Sequence, residues 1–275
     1  MSAAPEKTDV QKEAMIVKKR IVHLSCLLAA AFMLFFSFQG FSLAAERKLI
    51  VAGASDLSFA FREIAREFEK ETGYKVVLSL GSTGMLARQI EQGAPFDAFF
   101  AANTSFIEAL EKGGHILPGT VELYAEGRIV IAVKSASTLR ITRLEDLRKN
   151  NITRIAIANP EHAPYGMAAM EALKSARLWD ELKPRLVYGE NIRQALQFVE
   201  SGNAEAGIIA RSVAQAPGIE YAEVPSILHK PISQAAGVVR TSREADGARS
   251  FIKFVNGPKG ALIMKKYGFL PPGAR

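Results

Sequence analysis

The sequence predicts an α/β protein in which mainly parallel sheets are flanked by helices. Three observations support this fold class. Hydrophobic residues make up 48% of the chain and charged residues 23%, which is ordinary globular composition. Short apolar runs rich in Val and Ile recur along the chain, and the segments between them carry apolar residues at helical spacing. Such strand–helix alternation is typical of parallel sheets covered by helices.

The predicted strands are short, and several are apolar at successive positions. Parallel strands are buried on both faces, so they lack the polar alternation of half-exposed strands. In chain order the predicted strands are Leu49–Gly53, Val76–Leu80, Ala98–Ala101, Ile129–Val133, Ile155–Ala158, Leu186–Tyr188, Ala206–Ala210 and Ala235–Val239. This pattern does not decide whether the strands form one sheet or two lobes.

The predicted helices carry apolar stripes that repeat every three or four residues, the period of a half-buried helix. The clearest stripes lie within Leu57–Phe68, Ile192–Val199 and Ala248–Val255. Pro258 suits the first turn of a last helix, and Gly268 suits the residue after its end.

The first 45 residues have the pattern of an export signal. A basic cluster at Lys18–Arg20 precedes an uncharged apolar run from Ile21 to Phe38, and small residues follow it. This order predicts a secretory signal peptide over residues 1–45, cleaved near Ala44. An uncleaved membrane anchor is the alternative, because the run is about as long as a short membrane span.

Charge and cysteine content exclude several function classes. The chain has 35 Lys and Arg against 28 Asp and Glu, and its net charge of +7 is not concentrated in a long basic run. Nothing therefore supports a dedicated nucleic-acid binder. Cys26 is the single cysteine, which excludes an intrachain disulfide and a cysteine-rich metal site.

Familiar catalytic and metal-binding signatures are absent from the sequence. There is no G-x-G-x-x-G, no P-loop, no G-x-S-x-G and no H-E-x-x-H. The histidines beyond the signal lack ligand spacing and are interpreted as surface or loop residues: His115, His162 and His229. Three acidic residues at strand or helix ends are interpreted as local caps: Asp56, Asp97 and Glu161.

Four strand-to-helix turns carry small hydrogen-bond donors. They are Gly53–Asp56, Gly81–Gly84, Asn159–Gly166 and Gly189–Ile192. Each exposes free backbone N–H groups at the positive end of a helix. In parallel sheets such turns gather at the carboxyl ends of strands, where ligands bind. Together they predict an anion site that needs no Lys or Arg, although capping explains each turn singly, with Ser55 a natural N-cap.

Several motifs closely resemble the periplasmic molybdate-binding proteins of ABC importers. The resemblance covers nearly all of residues 47–270 in one order. The motifs are Ala52–Leu57 (AGASDL), Gly81–Ile90 (GSTGMLARQI), Gly93–Asp97 (GAPFD), Asn159–Gly166 (NPEHAPYG), Gly189–Leu196 (GENIRQAL), Gly257–Pro258 and Lys266–Phe269 (KYGF).

This resemblance implies a two-lobed type II periplasmic-binding-protein fold. Lobe I would comprise residues 46–124 and 231–275, and lobe II residues 125–230. The chain would cross between the lobes near Tyr124–Arg128 and return near Lys230–Gln234.

The resemblance also implies an oxyanion held between the lobes by neutral donors. Ser55 and Thr83 would each give a hydroxyl and a backbone N–H, whereas Tyr165 and Ile192 would give backbone N–H groups. Molybdenum or tungsten would be held only as the oxyanion, through these same residues. The chain departs from some members at Ala210, where they have a tyrosine, and at Thr83, where serine is usual.

The implied function is that of an exported, periplasmic solute-binding protein without enzymatic activity or cofactor. It would act as a monomer, bind no nucleic acid, and deliver molybdate or tungstate to the membrane permease of an ABC importer. A receptor for another tetrahedral oxyanion such as sulfate is one alternative. A secreted serine hydrolase with Ser55 as nucleophile is the other, but the turn that carries Ser55 offers no histidine as its base.

Overall fold

The computed structural model describes residues 12, 14–20, 22–24 and 47–274. The chain divides into two units, Met1–Ala45 and Glu46–Arg275. In the first unit, residues 14–20 and 22–24 are helical and exposed. Cys26, most of the predicted apolar run and the predicted cleavage site near Ala44 lie outside the described residues. No helix within the described ranges is long and apolar enough to cross a membrane.

The second unit contains two five-stranded mixed sheets. The first sheet has the order β2–β1–β3–β10–β4, in which β1 pairs in parallel with β2 and β3, and β10 runs antiparallel to β3 and β4. Its strands are β1 (Lys48–Ala54), β2 (Lys75–Gly81), β3 (Ala98–Ala101), β4 (Glu122–Gly127) and β10 (Ile232–Val238).

The second sheet repeats this plan with the order β7–β6–β8–β5–β9. Strand β6 pairs in parallel with β7 and β8, and β5 runs antiparallel to β8 and β9. Its strands are β5 (Ile129–Lys134), β6 (Ile155–Ala158), β7 (Leu186–Gly189), β8 (Ala206–Ala210) and β9 (Ile219–Glu223). Below, lobe I means the first sheet with its helices and lobe II the second sheet with its helices.

The chain passes from lobe I to lobe II between the end of β4 at Gly127 and the start of β5 at Ile129. It returns between the end of β9 at Glu223 and the start of β10 at Ile232. The lobe limits predicted at 124/125 and 230/231 fall near these crossings and stay a prediction.

Helices cover both sheets. Those of lobe I are α1 (Ser58–Thr72), α2 (Thr83–Glu91), α3 (Thr104–Lys112), α7 (Ala245–Asn256) and α8 (Pro258–Lys266). Those of lobe II are α4 (Pro164–Ser175), α5 (Trp179–Leu182) and α6 (Ile192–Ser201). Pro258 opens α8 and Gly268 follows it with φ +86°, as the sequence predicts. The predicted α/β class, with two sheets flanked by helices, is confirmed.

Every predicted strand is present, but β4 and β9 are additional. Both lie at a sheet edge, where one side of the ladder faces away from the core. Their sequences, ELYAEG and IEYAE, mix charged and apolar residues, so they lack the apolar run that marks a buried strand. The sheets are mixed and not mainly parallel, because β10 runs antiparallel to both β3 and β4, and β5 to both β8 and β9.

Edge-to-face aromatic packing organises the core of lobe I on the side of α1 and α7. The Phe251 ring on α7 lies 5.8 Å from Phe61, 5.1 Å from Phe68 and 5.7 Å from Phe100, with interplanar angles of 82–88°. These four side chains are 0–1% exposed. Aromatic pairs in this geometry stabilise beyond the area they bury, so Phe251 joins both helices to β3.

We expect Phe251→Ala to lower the free energy of unfolding by about 3–5 kcal/mol, because it leaves a cavity among three aromatic rings. Urea denaturation followed by circular dichroism measures this loss. Leu262→Ala, at a side chain on α8 that is 69% exposed, is the control and should change stability by less than about 0.5 kcal/mol. Similar losses in both variants would contradict the assignment of this cluster as the core of lobe I.

Candidate functional site

The four predicted turns meet at one small cavity between the lobes. They follow β1, β2, β6 and β7, and all four predicted site residues line the cavity. It is small, since only about 10 Å³ of it is open to the centre of a water-sized sphere, far below the roughly 300–1,000 Å³ of pockets for drug-sized ligands. The lining residues are Ala54, Ser55, Asp56, Gly81, Ser82, Thr83, Ala102, Ala163, Pro164, Tyr165 and Ile192.

Ser55 lies between β1 and α1 and is buried. It opens a 3-10 turn, Ser55–Leu57, and its side chain makes no capping hydrogen bond to the helix. The expectation that Ser55 is an N-cap is therefore wrong. The reason is the intervening turn, which places Ser55 three residues before the start of α1 at Ser58. The Ser55 hydroxyl therefore does not cap the helix, contrary to what the sequence suggested.

Thr83 begins α2 and is 1% exposed. Its Oγ1 accepts a hydrogen bond from the backbone N–H of Ala102 at 3.1 Å. A threonine hydroxyl can accept and donate at the same time. Since Ala102 fixes the acceptor side, the hydroxyl proton of Thr83 is left to donate elsewhere.

Tyr165 stands in the first turn of α4. Pro164 precedes it at the first helical position and has no N–H. The N–H of Met167 bonds to the carbonyl of Ala163, where the intrahelical ladder starts. The Tyr165 N–H is therefore the first backbone donor of α4 and precedes the first intrahelical hydrogen bond.

Ile192 begins α6 after the N-cap Asn191. The Asn191 side chain accepts from the N–H groups of Arg193 and Gln194 at 3.0 and 3.2 Å. Both donors that an N-cap usually satisfies are thus occupied. The N–H of Ile192, one position earlier, is not reached by this cap and is left for a ligand.

The electrostatics of the cavity favour an anion. The helices α2, α4 and α6 all begin at it, and helix N-termini carry partial positive charge and free N–H groups. Among the described residues that line it, none is Lys, Arg or His. Attraction for a ligand therefore comes from oriented dipoles and hydroxyls, as the sequence predicts.

Hydrogen bonds between the lobes close the cavity on the side of α2. The Ser82 hydroxyl donates to the carbonyl of His162 at 2.7 Å and lies 2.8 Å from its Nδ1. The Gly84 N–H donates to the same carbonyl at 3.0 Å. His162 lies in a loop, as interpreted from the sequence, but its contacts join lobe II to lobe I.

Asp56 connects the lobes at a second place and is 1% exposed. Its Oδ2 accepts from the Tyr165 hydroxyl at 2.8 Å and from Gln234 Nε2 at 2.9 Å, whereas Oδ1 has no partner. Its carbonyl accepts from the Ser212 hydroxyl at 2.9 Å. The interpretation of Asp56 as a local cap is therefore wrong, because its side chain is engaged with residues far away in the chain.

The titration of this network follows from burial. Burial raises the pKa of Asp56 to about 6, although hydrogen bonds from Gln234 and Tyr165 lower it. Burial also raises the pKa of Tyr165 and Tyr124 well above their usual value, so both stay neutral. The Tyr124 hydroxyl donates to Gln234 Oε1 at 2.6 Å, which orients the Gln234 amide toward Asp56.

Sequence reasoning missed Gln234, Tyr124 and Gly127 as parts of the site. Gln234 had a detectable signal, since it is polar and directly precedes a predicted buried strand. Gly127 had none. A Cβ at this glycine would lie 2.3 Å from the Tyr165 hydroxyl oxygen, so only a glycine leaves room for that side chain.

The other two acidic residues lie outside the cavity lining. Asp97 accepts from the Ile50 N–H at 2.7 Å and from the Ser242 hydroxyl at 2.7 Å, a structural role in lobe I. Glu161 is exposed in the loop before α4. In the part of the chain that the structure describes, no group of three or more His, Cys, Asp or Glu side chains could hold a metal ion.

Comparisons with known proteins match most of the chain. A family model described as bacterial extracellular solute-binding protein matches residues 49–270. The molybdate-binding protein of Azotobacter vinelandii is 37% identical over 227 residues, which cover 80% of this chain and 88% of that protein. The solved periplasmic molybdate-binding protein of that organism has a TM-score of 0.77 at 32% identity, covering 82% of this chain and 99% of its own. A sulfate-binding protein of Mycobacterium tuberculosis has a TM-score of 0.70 at 14% identity, covering 82% and 87%, a likeness of fold alone.

We expect Gly84→Ala to impair closure of the lobes. A Cβ at this position would lie 2.9 Å from the His162 carbonyl oxygen and 3.0 Å from His162 Cβ, on the opposite lobe. Overpacking costs about 1–3 kcal/mol, which corresponds to roughly 5–150-fold weaker ligand binding. Small-angle scattering in saturating molybdate should give a larger radius of gyration for the variant than for the wild type.

The thermal stability of the ligand-free variant is the control for Gly84→Ala. Opening of the lobes relieves both contacts with His162, and the remaining neighbour, Phe106 Cε1 at 3.1 Å in lobe I, needs to shift by only a few tenths of an ångström. The melting temperature without ligand should therefore change little. A variant as compact as the wild type in molybdate, with unchanged affinity, would show that Gly84 does not limit closure.

Proposed function

Because the chain belongs to the family of bacterial extracellular solute-binding proteins, we propose that it captures molybdate, or tungstate, between its lobes for delivery to an ABC importer. One observation carries this proposal. Donors from four separate turns, two in each lobe, converge on a single small cavity whose lining has no basic side chain among the described residues. Such a cavity suits a small anion with oxygen acceptors in several directions.

In this proposal each predicted site residue donates to the oxyanion. Ser55 and Thr83 contribute hydroxyl and backbone N–H groups from lobe I, and Tyr165 and Ile192 contribute backbone N–H groups from lobe II. The Ala102 N–H that donates to Thr83 Oγ1, and the cap that occupies the N–H groups of Arg193 and Gln194, support these roles. Ala210, where some members have a tyrosine, is buried. The tyrosine that lines this cavity is Tyr165 on α4, and its hydroxyl donates to Asp56.

The chain is a binding protein and not an enzyme, as its family indicates. The serine hydrolase alternative finds no support at the cavity. His162 lies beside Ser82 and not beside Ser55, and the Ser82 hydroxyl donates its proton to a backbone carbonyl. A nucleophile requires its hydroxyl to donate to a base.

The partner and location follow from the same proposal. A solute-binding protein of this family works outside the cytoplasmic membrane and passes its ligand to a membrane permease. We therefore place the mature chain in the periplasm, exported by residues 1–45 and acting as a monomer without a cofactor.

Calorimetric titration of the purified mature chain with molybdate, tungstate, sulfate and phosphate tests the function. A ligand that binds only the folded, closed protein raises the melting temperature, with about 4 kcal/mol of stabilisation at a thousandfold excess over Kd. We expect millimolar sulfate not to displace micromolar molybdate. Both are dianions, but fixed donors set for the larger one leave sulfate underbonded, at about 1–3 kcal/mol per unsatisfied donor.

Two outcomes would contradict the proposal in different ways. Unchanged melting in millimolar molybdate and tungstate would exclude the assigned ligands. Displacement of molybdate by sulfate at comparable concentration would identify a receptor for a smaller oxyanion within the same fold.

We expect Ser55→Ala to weaken molybdate binding roughly tenfold to 150-fold, because a hydrogen bond to a charged partner contributes about 1.5–3 kcal/mol. Stability should change little, since this hydroxyl caps no helix. Ser58→Ala is a matched control. Ser58 is also buried, its hydroxyl has no partner, and it does not line the cavity. Equal molybdate affinities of the two variants would show that the Ser55 hydroxyl does not bind the ligand.

A further inference from the structure

A buried carboxyl group on a residue that lines an anion cavity requires an explanation. Asp56 lines the cavity that the four turns surround, and it is almost completely removed from solvent. Its Oδ2 is occupied by the Tyr165 hydroxyl and the Gln234 amide. Its Oδ1 is buried and has no hydrogen-bond partner. Buried polar atoms without partners are uncommon in folded proteins and often mark functional positions.

No cation compensates Asp56 within the described residues. The groups that face it are neutral: Tyr165 from α4, Tyr124 from β4, Gln234 from β10 and Ser212 after β8. Two arginines on the packed elements have other partners: Arg211, after β8, is bound to Glu223, and Arg193, on α6, is bound to Glu200. His162, before α4, is bound to Ser82. An ionised Asp56 therefore sits in this wall without a salt bridge.

A divalent oxyanion and an ionised carboxylate cannot share such a site without a large electrostatic cost. Like charges at short range in a poorly solvated site repel strongly, and one of them is relieved by taking up a proton. We propose that Asp56 is a specificity-determining residue of this cavity and that its carboxyl group takes up one proton from solvent when a divalent oxyanion binds. This inference rests on the proposed function of the cavity as an oxyanion site.

The location of the proton follows from the hydrogen bonds. Both side-chain donors to Asp56 reach Oδ2, and Oδ1 has no partner, so Oδ1 is the oxygen left to carry the proton. The ionised group becomes a neutral carboxyl group, and the Tyr165 and Gln234 bonds to Oδ2 are kept. The uptake needs no other reactant, because one proton leaves the solvent and one O–H bond forms.

The pH dependence has a definite sign. Burial already raises the pKa of Asp56 to about 6 in the absence of ligand, and a bound dianion would raise it further. Binding is therefore at full strength below pH 6 and weakens as the pH rises above it. Each pH unit above the ligand-free pKa lowers the affinity about tenfold while the bound carboxyl group stays protonated.

Calorimetry with molybdate at pH 7.5, in two buffers of different ionisation enthalpy, counts the protons exchanged on binding. We expect uptake approaching one proton in the wild type and close to none in Asp56→Asn, whose amide resembles the neutral acid in shape and charge. The affinity of Asp56→Asn should exceed that of the wild type about 100-fold at pH 8 and about twofold at pH 6. Glu126→Gln is the control and should behave as the wild type, since Glu126 is a buried carboxyl group on β4 that does not line the cavity.

Binding of molybdate without proton uptake by the wild type would overturn the inference and leave the proposed function intact. Uptake that persists in Asp56→Asn would also overturn it, because another group would then carry the proton. Absence of binding by the wild type at every pH would instead overturn the proposed function. If Asp56→Asn does not fold, infrared difference spectra of the wild type test whether a carboxyl group is protonated on binding. A new carbonyl band of a protonated carboxyl group on addition of molybdate supports the inference, and its absence contradicts it.

Discussion

The hydrogen bond from the Tyr165 hydroxyl to Asp56 Oδ2 joins two lobes that share no strand. Gln234, itself held by Tyr124, donates to the same oxygen and also contacts the Tyr165 hydroxyl at 2.8 Å. This network fixes α4 against the turn after β1 and so sets the distance between the donors of the two lobes. The space that the Tyr165 side chain needs also explains why the strand that leads out of lobe I ends in Gly127.

The donors of the cavity depend on how each helix begins. At α6 the side chain of Asn191 satisfies two N–H groups and leaves that of Ile192, and at α4 a proline removes the donor before Tyr165. At α2 the backbone of Ala102 directs the Thr83 hydroxyl. The site is thus built mostly from backbone groups, which any sequence possesses. What this sequence contributes is the set of caps that decide which N–H groups stay free.

Because none of the described residues that line the cavity is basic, the proposed site would bind through geometry, and this has a consequence for selectivity. Mobile lysines would adjust to anions of different radius, whereas donors fixed at helix ends do not. The neutral site also leaves the charge of the ligand uncompensated by the protein, so a nearby carboxylate has a large effect on binding. Asp56 is therefore more influential here than a carboxylate beside an arginine would be, because nothing else offsets its charge.

The sequence by itself determined the buried strands, the principal amphipathic helices and the four turns. These features are local, since an apolar run or a stripe at helical spacing depends on neighbours in the chain. The edge strands β4 and β9 could not be predicted from the sequence, because half-exposed strands lack an apolar run. Only the tertiary structure decided that Ser55 caps no helix and that Asp56 meets Tyr165 and Gln234, which lie 109 and 178 residues away in the chain. No local pattern encodes such a pairing, because it depends on how the two lobes close on each other.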